Sequence, residues 1–145
     1  MATGDNPIIP LFEPGERPTA AATAAIGAGK FLKVSADMQA SPILNVTTPL
    51  VGGNLIQVAQ CVAGERAIGV SGWDASGSGE VLPVIGPNMV VPMVAGSAVT
   101  FGQKVMSDAA GLPVPWTSAA SEANNANGIA LNSASGGATV WVWLR

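Results

Sequence analysis

From Lys30 onward, apolar residues come in short runs, and Gly, Pro, Ser and Asn separate them. The runs cover 30–34, 55–62, 67–73, 80–85, 89–94, 98–101, 104–107, 111–116, 128–132 and 138–144. Strand-length runs at a spacing of roughly 8–12 residues, with turn residues between them, predict an all-β sandwich or barrel. Proline cannot donate to a ladder, so Pro83, Pro92 and the two prolines of 111–116 predict edges or bulges. The stretch 20–26 is ambiguous, because alanine favours helix but seven residues are too few to stand alone. The segment 122–127 predicts a polar surface loop.

The first 18 residues differ in kind. Pro7, Pro10, Pro14 and Pro18 surround Ile8, Ile9, Leu11 and Phe12. Proline fixes φ and forbids continuous helix, so this segment is expected to be extended. The chain therefore divides into an arm, 1–18, and a single β domain, 19–145. An arm carrying this much apolar surface is expected to dock on its own domain, a sister subunit or another protein. Its contact residues are Pro7, Ile8, Ile9, Pro10, Leu11 and Phe12.

The last run is apolar on both faces. A period of two puts Val140, Val142 and Leu144 on one side and Thr139, Trp141 and Trp143 on the other. Two bare Trp side chains of about 150–250 Å² each would make a large patch. Two readings follow. The tryptophans fill core between two sheets, or a neighbouring subunit covers them. On the second reading Trp116, Trp141 and Trp143 belong to a subunit interface.

Composition bears on that choice. The chain has 145 residues, and only 10% are charged, against roughly 25% for an ordinary soluble domain. It is 48% hydrophobic, with a mean hydropathy of +0.41. Yet no apolar run approaches the roughly 18 residues of a spanning helix, and no signal peptide is evident. Three uncharged stretches, 38–64, 81–103 and 123–144, hold the deficit. Such a chain shares its surface with neighbours. Net charge is −3 and the six basic residues are scattered, which excludes a phosphate-tracking stripe and nucleic-acid binding.

Candidate chemistry is sparse. There is no His, which removes the commonest general base and His metal sites. The single Cys61 lies in a strand-like run and reads as a buried small hydrophobe. Gly27-Ala28-Gly29-Lys30 looks like a phosphate loop, but Ala24 and Phe31 stand where Gly and Ser/Thr are required. A turn before a strand explains the glycines. Asp37, Asp74, Glu80 and Asp108 are isolated in sequence, and Asp108 fits a turn. No enzyme signature and no cofactor is expected.

The order of features carries a resemblance. It runs through Ile8-Ile9-Pro10-Leu11-Phe12, Gly27-Ala28-Gly29-Lys30-Phe31-Leu32-Lys33-Val34 and Ala67-Ile68-Gly69-Val70-Ser71-Gly72-Trp73-Asp74. It continues through Glu80-Val81-Leu82-Pro83-Val84, Val94-Ala95-Gly96-Ser97-Ala98-Val99 and Asp108-Ala109-Ala110-Gly111. It closes on Asn127-Gly128-Ile129-Ala130-Leu131 and Ser135-Gly136-Gly137-Ala138-Thr139-Val140-Trp141-Val142. Over nearly the whole chain this resembles the capsid decoration (cement, head-stabilisation) proteins of tailed bacteriophages, especially actinobacterial phages. The resemblance implies a small β-barrel or β-tulip-like domain. It also implies a homotrimer on the outer capsid surface, made in the host cytoplasm and bridging subunits of the major capsid protein. It implies no catalytic residue. The alternative is a surface-exposed β binding module, an adhesin or a carbohydrate binder.

Overall fold

A computed structural model describes residues 19–39, 55–117 and 125–145, and these form ten strands with no helix. The strands are β1 (Thr19–Ala22), β2 (Phe31–Gln39), β3 (Leu55–Gln60), β4 (Gly69–Ser71) and β5 (Val81–Ile85). They continue with β6 (Val90–Val94), β7 (Lys104–Ser107), β8 (Pro113–Pro115), β9 (Gly128–Ala130) and β10 (Thr139–Leu144). The alanine run that begins at Ala20 resolves as strand, because β1 pairs parallel with β3 and antiparallel with β5. The run 98–101 forms a single bridge, Val99 to Ala134, rather than a strand. The other runs become strands, mostly trimmed at their ends.

The first five strands close into a barrel in the order β1-β3-β2-β4-β5, and the other five form a sheet in the order β6-β10-β9-β7-β8. The small all-β barrel predicted from the residues is thus observed, and a second sheet accompanies it. Alternation along the barrel strands serves two cores at once. Leu32, Leu82 and Val84 point inward and pack with Ala20, Ala22, Ile26, Val58 and Ala75. Their neighbours Phe31, Val70 and Ile85 point outward, toward the sheet. There they meet Val91, Met93, Val105, Ala130, Val140, Val142 and Leu144. The second core therefore joins one side of the barrel, β2, β4 and β5, to one face of the sheet. Strand β1 adds Ala20 and Ala22 to the barrel interior, and its Thr19 pairs with Pro83, two residues before Ile85.

Gly111 ties the two units together. Its carbonyl accepts from Phe31 N–H at 2.9 Å. Its φ of 72° is one that L side chains rarely adopt, and a Cβ there would lie 2.7 Å from Gln60 Cγ. Asn127, expected in a polar surface loop, is instead buried. Its Nδ2 donates to Glu65 O at 3.1 Å, and its Oδ1 accepts from Ala67 N–H at 2.8 Å. A buried amide is stable only when bonded in this way. Each buried side-chain polar atom among the described residues has a partner.

The prolines find the places where a ladder needs no donor. Pro92 lies in edge strand β6, whose odd-numbered residues bond to β10, as Ala95 N–H to Ala138 O shows. Its missing N–H therefore faces the open edge. Pro115 does the same in edge strand β8, where Trp116 N–H bonds to Lys104 O, whereas at Pro113 the carbonyl on that side accepts from Gly96 N–H at 2.9 Å. Pro83 departs from expectation, since it lies in β5, within the closed barrel. It is tolerated because it stands beyond the end of β4, where its carbonyl accepts from Gly72 N–H at 3.0 Å.

Candidate interaction face

The sheet has one face in the core and one turned away from it. Val140, Val142 and Leu144 of β10 are buried, whereas Trp141 and Trp143 are half-buried on the other side. The tryptophans do not fill core between sheets, and the space there belongs to the valines. Strand register then assembles a row that no single run displays. Trp143 stands opposite Val90 of β6 and Ile129 of β9, and Ile129 stands opposite Lys104 of β7. Lys104 stands opposite Trp116, just past β8. The outward row Val90, Trp143, Ile129, Lys104, Trp116 thus crosses the whole sheet. Beside it, Trp141 stands opposite Pro92 and takes a hydrogen bond from Leu131 N–H. Leu131 is 38% exposed and Val94 47% exposed on the same face, and Phe101, 68% exposed, stands at its rim.

Two cations lie on this face, each over an indole. Lys104 Nζ is 5.4 Å from the Trp116 ring centroid, and Arg145 Cζ is 4.5 Å from that of Trp143. Both distances fall within cation–π range. No strand presents a carboxylate there. Asp108, in the turn after β7, is taken up by that turn, its Oδ1 accepting from Ala110 N–H at 2.7 Å and Leu112 N–H at 2.8 Å. The face is therefore apolar, aromatic and positive.

The remaining tryptophan lies apart. Trp73 is 40% exposed in the β4–β5 connection, and its Nε1 donates to Val81 O at 3.2 Å. The expected arm contacts, Pro7, Ile8, Ile9, Pro10, Leu11 and Phe12, lie outside the described residues.

The isolated carboxylates serve turns. Asp74 Oδ1 accepts from Ala28 N–H, which fixes the Gly27–Lys30 turn ahead of β2. Ser71 Oγ braces the same turn, donating to Gly27 O at 2.7 Å. A strand, not a helix, follows the glycines, so they form no phosphate cradle. Glu80 accepts from Ser76 Oγ and from Ser76 N–H, and these bonds hold its carboxyl below its ordinary pKa. Asp37 lies where only the backbone is described. No three His, Cys, Asp or Glu side chains converge among the described residues. No helix among them is long and apolar enough to cross a membrane.

Sequence reasoning named Trp116, Trp141 and Trp143, and all three lie on the outward face. It missed Val90, Pro92, Ile129, Leu131, Lys104 and Arg145. Period two placed Pro92 and Leu131 on a face within their own runs, but the alignment of five strands depends on register, which no run encodes alone.

No family model and no curated protein matches this chain. Among solved structures, it is similar in fold to the N base of the head fiber protein gp8.5 of bacteriophage phi29. The TM-score is 0.63 at 20% sequence identity, over 88% of this chain and 91% of that chain. At that identity the likeness establishes a shared fold.

Proposed function

We propose that this chain is a structural, non-enzymatic protein of a bacteriophage virion. It sits as an oligomer, a homotrimer, on the outer surface of the head and stabilises the shell by bridging major capsid subunits. The outward row carries the proposal. A chain of 14.4 kDa that stands on its own has little reason to keep Val90, Trp143, Ile129 and Trp116 in register on a face turned from its core. Specific interfaces bury about 1,200–2,000 Å² in total, and a small subunit reaches that figure by offering a whole sheet face. Pro92 and Pro115 remove donors from the two edges of that sheet, and the Pro113 carbonyl is already taken by Gly96 N–H, which disfavours edge-to-edge pairing and leaves the face as the docking route. The shared fold with a phage head fiber base supports the same reading.

The carbohydrate-binding alternative meets an obstacle. Sugar stacking needs an open indole face, and Arg145 covers that of Trp143. The direct test is to purify the phage particles that encode this chain, measure its copy number by mass spectrometry and label it with gold-conjugated antibody. High copy number with label on the heads is the expected result. Absence from purified particles, or label confined to tails, contradicts the proposal.

A further inference from the structure

We infer that the cleft between the barrel and the far end of β10 receives a carboxylate side chain of the polypeptide that covers the outward row. This deepens the proposed function and rests on the reading of this chain as a head protein that docks through that row.

The cleft has a volume of about 310 Å³ and takes its lining from both barrel and sheet. Phe31, Gly69, Asn127 and Leu144 are its buried floor. Arg66 and Arg145 line it as exposed residues. The chain has three arginines, and two of them are here. Like charges brought to one place repel, so the pair favours an anion between them. Among the described residues neither arginine has an ion pair, and no acidic side chain lines the cleft. Glu65 precedes Arg66 but is already engaged. Its Oε1 accepts from Lys33 Nζ at 2.8 Å, and its Oε2 accepts from Val62 N–H at 2.8 Å.

One buried residue fixes both cation-bearing backbones. Asn127 Nδ2 donates to Glu65 O at 3.1 Å, and its Oδ1 accepts from Ala67 N–H at 2.8 Å, so it grips the chain on either side of Arg66. The Asn127 carbonyl accepts from Arg145 N–H at 3.2 Å. Groups positioned before binding lower the ordering cost of a contact. Arginine suits the role, because its planar fork takes a carboxylate through two parallel N–H bonds and is more weakly hydrated than an ammonium. Ile68 and Pro87 add apolar wall to the floor of Phe31 and Leu144. That lining favours a carboxylate on an apolar stem over a bare, hydrated anion.

Position and size point to a polypeptide as its carrier. Arg145 belongs to the outward face as well as to the cleft, since its Cζ lies 4.5 Å from the Trp143 ring centroid. A chain laid along the row therefore reaches the cleft at its Trp143 end. At about 310 Å³ the cleft is at the small end of the roughly 300–1,000 Å³ of ligand sites, which suits one side chain.

Sodium butyrate reproduces a glutamate side chain, and titrating it into the isotope-labelled full-length chain at constant ionic strength tests the inference. The expected result is a saturable shift of the Ala67, Ile68, Gly69 and Asn127 amide resonances. Butylammonium chloride should not produce it, and Arg66→Gln with Arg145→Gln should abolish it. Both arginines are exposed, so the double variant should keep the wild-type far-ultraviolet circular dichroism. No saturable shift at these amides overturns the inference, as does a shift that survives in the double variant. Head binding tests the carrier. The double variant should bind heads about tenfold more weakly than the wild type. Binding at wild-type strength overturns the polypeptide occupant. A wild-type chain that takes up butyrate but binds no heads contradicts the proposed function and upholds the carboxylate site.

Discussion

The Cys61 thiol lies wholly buried just past β3, and burial pushes its pKa up to about 12. The nearby Glu65 carboxylate pushes in the same direction, and Lys33 pulls slightly against both. Reactivity needs thiolate, so a thiol reagent at pH 8 should leave the folded protein untouched and label it fully in denaturant. The raised pKa also sets a pH dependence. The unfolded chain loses this proton first, at about pH 8.5. Stability is therefore complete below that pH and falls as the pH climbs toward about 12, which urea titrations at several pH values will show. Asn127 offers a second test. Asn127→Ala strands the Ala67 N–H and the Glu65 carbonyl, so the unfolding free energy should drop by about 1–3 kcal/mol. By contrast the half-exposed Lys33–Glu65 pair, at 2.8 Å, is worth about 0–1 kcal/mol, and Glu65→Gln should barely move the urea midpoint. Cys61 was legible from its apolar run. Asn127 was not, because its neighbours are polar and its burial depends on where 64–67 passes.

At the scale of elements, β10 shows what alternation encodes. Val142→Ala removes buried methyls and should cost about 1–3 kcal/mol of stability. Trp141→Ser acts on the outward face, so it should leave the far-ultraviolet circular dichroism unchanged, raise solubility and abolish head binding. The edge prolines carry a separate expectation. Pro115→Thr restores an edge donor, and time-resolved light scattering should then show faster aggregation than the wild type. The edge positions of β6 and β8 were legible because proline has one physical reason to be there. Pro83 misled because a strand inside a barrel can still outrun its neighbour, and strand ends are set by register. The run at Ala20 was ambiguous for a similar reason. Its pairing partners lie 36 and more residues away in β3 and β5.

The whole molecule joins a closed barrel to an open sheet through a shared core, and the shortage of charge follows from that plan. Many residues of the uncharged stretches are strands that serve core on one side. In β6, β9 and β10 the other side is the outward face. The all-β class was legible from run length and turn spacing. The split into barrel and sheet was not, because β1 pairs in parallel with β3 across a long sequence gap. The candidate face was legible in its tryptophans and illegible as a row, since register aligns it. The central claim is that this face meets protein on a phage head. A density map of that head, at a resolution that shows side chains, tests the claim most directly. The account predicts density for this chain outside the shell, with Trp143, Ile129 and Lys104 covered by another polypeptide. Density that leaves this row facing solvent, or no density for the chain on the head, would contradict it.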